Sequence, residues 1–258
     1  MKVGDIDLAV REKGRGQVFL WGHGLLSSMA QEDEIGAFDW TPVADTMRLV
    51  RYDARGHGDS GSTDDPKASE WPALATDMLG LADGLGAEQL VLGGASMGCA
   101  TALYAALAAP DRVDKLVLVI PPTAWSTRTA QRRMYRVGAT VVATAGLGAF
   151  ATVLRSQPAP RRLARAREVS LRHLAQADRR GVVASLRGAG RSDLPARSRL
   201  ETLQIPALIL AWHDDPVHPV STATTLAATL PVATLHEART DHDVERWPEL
   251  VHGFLAEG

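Results

Sequence analysis

Leu90–Ala108 reads LVLGGASMGCATALYAALA. Leu90-Val91-Leu92 is an apolar run of the kind a buried strand shows, and Cys99 to Leu107 is an alanine-rich helical pattern. Between them stand Gly93-Gly94-Ala95-Ser96-Met97-Gly98. A strand that reverses this tightly into a helix crowds the backbone around its central residue. Glycine two positions before Ser96 and two after it removes the side chains that would collide. The expected outcome is a serine whose hydroxyl stands clear of a sheet, over a helix N-terminus. That terminus carries free N–H groups and partial positive charge, which suit a developing oxyanion.

The chain has 258 residues, enough to bury a sizeable core, with 45% hydrophobic and 22% charged residues. A net charge of −2 gives no reason to expect nucleic acid as a partner. Cys99 is the single cysteine, so no intrachain disulfide forms. The start, Met1-Lys2-Val3-Gly4-Asp5, leads into a charged segment rather than a signal-peptide core. Both features predict a cytoplasmic protein. Charge is uneven: residues 126–200 hold sixteen arginines against Glu168, Asp178 and Asp193. A basic segment is thus inserted into an acidic body.

Along the chain, Ile6–Val10, Gln17–Trp21, Met47–Tyr52, Leu90–Leu92, Lys115–Ile120, Pro206–Ala211 and Val232–Leu235 read as strands. Glu70–Leu85, Cys99–Leu107, a serine-capped Ser221–Leu230 and Val244–Ala256 read as helices. Apolar strands alternating with helices predict an α/β fold, a mostly parallel central sheet covered on both faces. Working residues in such sheets collect at the strands' carboxyl ends. His23-Gly24, Asp53, Ser96, Asp215 and His242 all fall at such ends.

Gly94-x-Ser96-x-Gly98, then Asp215, then His242, resembles the α/β-hydrolase superfamily in its order of nucleophile, acid and histidine. Size and layout are similar to the esterases and lactonases of the 3-oxoadipate enol-lactonase type. His23-Gly24 resembles that superfamily's oxyanion loop, and Asp53-x-x-Gly56-x-Gly58-x-Ser60 its next turn. Trp212-His213-Asp214-Asp215-Pro216-Val217-His218-Pro219 resembles its acid loop, with Asp215 as the acid and Asp214 as the neighbour to exclude. The resemblance implies Ser96, Asp215 and His242 as catalytic residues. It implies the backbone N–H groups of Leu25 and Met97 as oxyanion donors. His23, Trp125, Trp212 and His218 are expected to line a substrate pocket. No metal site and no cofactor are expected. Asp241 and Trp212 stand where that superfamily usually has glycine, and Cys99 where it often does.

The resemblance divides the chain into a core, residues 1–122 and 204–258, and an inserted helical cap, residues 123–203. Val137–Leu154 is eighteen residues without a charge, long enough to span a bilayer. Its threonines and Gly146-Leu147-Gly148 predict two cap helices instead, with no stable membrane insertion. The function so implied is a serine hydrolase cleaving a carboxylic ester, lactone or thioester through an acyl-enzyme. The cap arginines suggest an anionic substrate. Carbon–carbon bond hydrolysis, cofactor-free perhydrolysis and acyl transfer use the same residues, and a ligand receptor with little turnover could share the scaffold. Oligomeric state is not legible.

Overall fold

A computed structural model describes residues 1–36, 38–157, 163–213, 215 and 217–257. The chain begins with a two-residue hairpin, β1 (Lys2–Val3) and β2 (Ile6–Asp7), followed by β3 (Val10–Lys13) and β4 (Val18–Gly22). The single strand expected over Ile6–Val10 is therefore divided between two sheets. Two short helices, α1 (Met29–Ile35) and α2 (Thr41–Thr46), lead to β5 (Arg48–Tyr52). Then come α3 (Trp71–Gly84), β6 (Leu90–Ala95), α4 (Met97–Ala108) and β7 (Val113–Val119). Leu74, Met78 and Leu81 are buried on one side of α3, as the helical spacing of these residues requires.

Between β7 and the next strand lie α5 (Arg128–Ser156), α6 (Ala164–Gln176), α7 (Arg179–Arg191) and α8 (Arg197–Leu200). The end of the chain is β8 (Ala207–Trp212), α9 (Val220–Thr229), β9 (Ala233–Ala238), α10 (Asp241–Glu245) and α11 (Trp247–Ala256). The seven-stranded sheet has the order β3-β5-β4-β6-β7-β8-β9. Only β3 runs antiparallel. Its two faces carry separate apolar clusters. One packs Leu20, Leu92 and Leu118 against α3 and α4; the other packs Phe19, Val117 and Leu210 against α2 and α11.

Three local expectations change. α9 starts after Pro219 with no side-chain cap, because proline supplies a fixed φ at the entry instead of a serine oxygen. The last helix is two, α10 and α11, parted at Arg246 just before Trp247-Pro248, since proline belongs in a helix's first turn. The uncharged segment lies within α5, which is broken at Gly146, where φ is 86° and ψ 174°. α5 is long and apolar enough to cross a membrane, by length and composition. It turns Ala139, Val142 and Phe150 onto Leu171, Leu174, Val182 and Leu186 of α6 and α7.

Candidate active site

Ser96 is held at φ 51° and ψ −106°, between the end of β6 and the first residue of α4. Few non-glycine residues adopt a positive φ, and strain of this kind persists only where the surroundings enforce it. Here they do. A Cβ at Gly98 would lie 2.0 Å from the Gly22 carbonyl oxygen, and one at Gly94 2.5 Å from the Gly98 carbonyl carbon. The Gly94-x-Ser96-x-Gly98 spacing thus allows α4 to press onto β4. Leu26, Ile120 and Trp125 are the other described non-glycine residues at positive φ, and the first two follow the carboxyl ends of β4 and β7. Backbone strain therefore collects at the sheet edge that carries Ser96.

Met97 opens α4, so its N–H is among the first in the helix, which have no intrahelical acceptor. Gly24 abuts the serine: a Cβ there would lie 3.7 Å from Ser96 Cβ. Leu25 therefore follows a residue in contact with Ser96. The segment beyond it is tied down by Asp53, whose Oδ1 accepts the Met29 N–H at 2.7 Å and Oδ2 the Asp59 N–H at 2.9 Å. This explains the Asp53-x-x-Gly56-x-Gly58 pattern, since a Cβ at Gly58 would lie 2.1 Å from Asp53 Oδ2.

The histidine that reaches the serine is His218. Its Nε2 lies 2.9 Å from Ser96 Oγ, and its Nδ1 lies 2.8 Å from Asp215 Oδ2. Asp215 Oδ1 also accepts the N–H groups of Val217 and His218, at 2.8 and 3.0 Å. Burial pushes the Asp215 carboxyl up, but the bond and charge of His218 with these two N–H groups outweigh it and hold it below the usual carboxylate value. A carboxylate so held accepts Nδ1–H, which leaves Nε2 as the lone pair facing the serine hydroxyl. Ser96, His218 and Asp215 thus form one continuous line of hydrogen bonds, a geometry in which a hydroxyl can pass its proton to an imidazole backed by a carboxylate.

His242 is not part of it. Its side chain is 79% exposed and its Nδ1 lies 3.7 Å from Glu245 Oε2. The cause is local: Thr240 caps the Asp243 N–H, and Asp243 Oδ2 accepts the N–H groups of Arg239 and Thr240. That reciprocal cap winds residues 241–245 into a helical turn directly after β9 and turns His242 to solvent. His218 was expected as a pocket residue and takes the position expected of His242. The signal was present in Asp215-Pro216-Val217-His218, whose three-residue separation lets one turn carry both groups. Asp214 lies outside the described residues.

The family model for the alpha/beta hydrolase fold matches residues 18–139. A curated relative, the candidate carbamate hydrolase RutD of Caulobacter sp. (strain K31), is 30% identical over 226 residues, covering 83% of this chain and 79% of that protein. This chain belongs to the alpha/beta hydrolase fold family. Among solved structures it is similar to the enol-lactonase of Burkholderia xenovorans LB400, with TM-score 0.82 and 21% identity over 99% of this chain and 98% of that one. It is similar also to a thermophilic esterase of Thermogutta terrifontis, with TM-score 0.80 and 25% identity over 98% and 92% of the two chains.

In this alpha/beta hydrolase fold, two residues expected in a substrate pocket lie elsewhere. His23 is buried, its Nδ1 donating to the Gly24 carbonyl at 2.7 Å while its Nε2 accepts the Ala54 N–H at 2.9 Å. Burial pushes its pKa down to about 4. Both ring nitrogens serve the backbone, so none is left for a substrate. Trp212 packs into the core beside Val119, Ala238 and Trp247. A bulky apolar side chain on a central strand gains more from that face than from an open cleft. Trp125 stays half-buried, its backbone N–H bonded to Asp193 Oδ1 at 2.9 Å and its indole N–H to the Pro195 carbonyl at 3.1 Å. The Cys99 thiol is buried between the carbonyls of Gly94 and Val119, at 3.0 and 3.1 Å, and burial pushes its pKa up. It is a packing residue. No cluster of three potential metal ligands occurs among the described residues.

Proposed function

We propose that this chain is a cofactor-independent serine hydrolase that cleaves a carboxylic ester, lactone or thioester through an acyl-enzyme. His218 Nε2 takes the Ser96 hydroxyl proton as Oγ attacks the substrate carbonyl carbon. Asp215 fixes the ring tautomer and stabilises the imidazolium that forms. The backbone N–H groups of Leu25 and Met97 receive the oxyanion; such a donor is worth roughly 100- to 1000-fold in rate. The tetrahedral adduct then collapses. The carbonyl re-forms, the bond to the leaving group breaks, and His218 returns the proton to it. Water, deprotonated by the same nitrogen, attacks the acyl carbon and releases the acid and Ser96.

The observation that carries this reading is the 2.9 Å approach of His218 Nε2 to Ser96 Oγ, with Asp215 at 2.8 Å behind it. The names of the relatives support carbonyl chemistry on this scaffold. Residues 123–203 act as the cap. Several of its described arginines are engaged within the protein: Arg132 pairs with Asp193 at 3.1 Å, Arg172 with Glu34, and Arg179 donates to the Val142 carbonyl at 3.0 Å. That use weighs toward an uncharged acyl group over the anionic substrate suggested by composition.

A fluorophosphonate probe followed by peptide mapping tests the nucleophile. Label on Ser96, and turnover of an ester, lactone, thioester and carbamate panel that disappears in Ser96→Ala, are the expected results. The loss should be on the order of 10⁴-fold or more. A folded Ser96→Ala protein with undiminished turnover removes the proposal.

A further inference from the structure

Exposed apolar surface collects on the outside of the cap. Among the described residues six large apolar side chains stand exposed, and three of them, Met134, Val137 and Val153, belong to α5. A helix this apolar inside a protein core is buried for most of its length. Yet only 28% of the most apolar 18-residue window within Trp125–Ser156 is buried. The inner face of α5, with Ala139 and Val142, packs onto α6 and α7. The outer face has no such cover.

That outer face has a definite make-up. Arg133, Val137, Thr140 and Thr144 recur at steps of four, three and four residues, so they form one row along the helix, and all four are exposed. Met134 and Arg136 stand exposed on either side of the row. The hydroxyls of Thr140 and Thr144 donate to the carbonyls of Arg136 and Thr140, at 3.0 and 2.9 Å, so they offer water no free hydroxyl hydrogen. Arg133 and Arg136 differ from the arginines described above. Neither guanidinium has a hydrogen-bond or ion-pair partner among the described residues. α5 contains no Asp or Glu to neutralise them.

An apolar strip with two unspent cations at one end fits a surface that is anionic outside and apolar beneath. Phosphate headgroups take the guanidinium groups, and Met134 and Val137 reach the acyl boundary. Crossing the bilayer does not fit, because the inner face of α5 is already occupied by α6 and α7. A second copy docking symmetrically through the strip would set the same unpaired arginines against each other. We propose that the outer face of α5 docks this chain peripherally on an anionic lipid bilayer. With two large apolar groups and two cations in the first half of the helix, the contact is weak and reversible.

Flotation of the whole chain with vesicles tests this, using phosphatidylcholine alone and phosphatidylcholine with about one-third phosphatidylglycerol. Binding to the anionic vesicles, weakened by added salt, and little binding to the neutral ones are expected. Arg133→Ser with Arg136→Ser should weaken anionic-vesicle binding about 10- to 30-fold, and Met134→Ser with Val137→Ser about ten-fold or more. Both pairs are changes of exposed side chains, so the melting temperature should stay at the wild-type value. Arg15→Ser with Arg239→Ser removes the same charge from exposed positions outside the cap and should bind as the wild type does. No binding, equal binding to neutral vesicles, undiminished binding of either α5 pair, or an equal loss in the Arg15 and Arg239 pair each overturns the proposal. A dimer in light scattering that Met134→Ser with Val137→Ser disperses would assign the strip to a second copy, and likewise overturns it. The contact does not use Ser96, His218 or Asp215, so its failure leaves the hydrolase reading standing, and the reverse is equally true.

Discussion

Which histidine stands beside Ser96 is decided residue by residue. His218 sits three positions after Asp215, on a turn whose N–H groups also bind that carboxylate. The carboxylate and the imidazole, acid and base in the proposed mechanism, are therefore carried by one loop and keep their register together. His242 is on a separate, capped helical turn facing solvent. His218→Ala should lose on the order of 10⁴-fold or more in kcat. His242→Ala should stay close to wild type, measured on the same ester. The opposite ranking would move the base to α10. Asp215→Asn leaves the size of the acid unchanged but removes the charge that holds the imidazolium. A severe fall in kcat with little change in KM is expected, since the lost interaction is made in the transition state.

At the scale of elements, the β6–α4 turn and the kinked α5 make opposite demands on glycine. Gly98→Ala would set a Cβ 2.0 Å from the Gly22 carbonyl oxygen, so α4 must move off β4. A stability loss of about 1–3 kcal/mol, read from a denaturant midpoint, is expected, with turnover falling as Ser96 shifts. Gly148 has open space around it. Gly148→Ala should therefore gain about 0.5–1 kcal/mol through helix propensity alone. Gly146 also has open space but stands at φ 86°, so Gly146→Ala should lose stability where Gly148→Ala gains it. A gain for both would mean that α5 is straight in solution.

Over the whole molecule, the buried pair His23 and His57, with ring centroids 5.1 Å apart, links folding to pH. Both are neutral in the fold, with pKa values pushed by burial to about 4 and about 3 from an ordinary 6.5. The unfolded chain takes up their protons first as pH falls. Their contribution to stability is whole above about pH 6.5 and is lost progressively toward those lower values. Between pH 7 and pH 4.5 the loss should be on the order of 2 kcal/mol for each ring. Denaturant midpoints at the two pH values measure it, and a midpoint that stays constant would mean that neither ring is held neutral by burial. At the same scale, sixteen arginines between residues 126 and 200 give the insertion its basic character. Arg128 is buried in the seam, over the Trp71 ring at 4.2 Å and bonded to the Ala189 carbonyl at 2.7 Å. Much of that charge therefore fastens the insertion to itself and to the core.

Local order along the chain determined the strand–turn–helix at Ser96, the parallel sheet and the placing of Asp215 after β8. Each follows from neighbours in sequence: apolar runs of strand length, glycines two positions either side of a strained residue, and a carboxylate at a strand's end. The partner of the serine was decided only in three dimensions. Eight histidines are equivalent as letters, and proximity to Ser96 depends on how each loop leaves the sheet. The Thr240–Asp243 cap turns one loop outward, and the carboxylate-bound turn after Asp215 brings another inward. The fates of His23 and Trp212 were settled the same way: each was buried by strands and loops far away in the chain, and that burial took them out of any cleft.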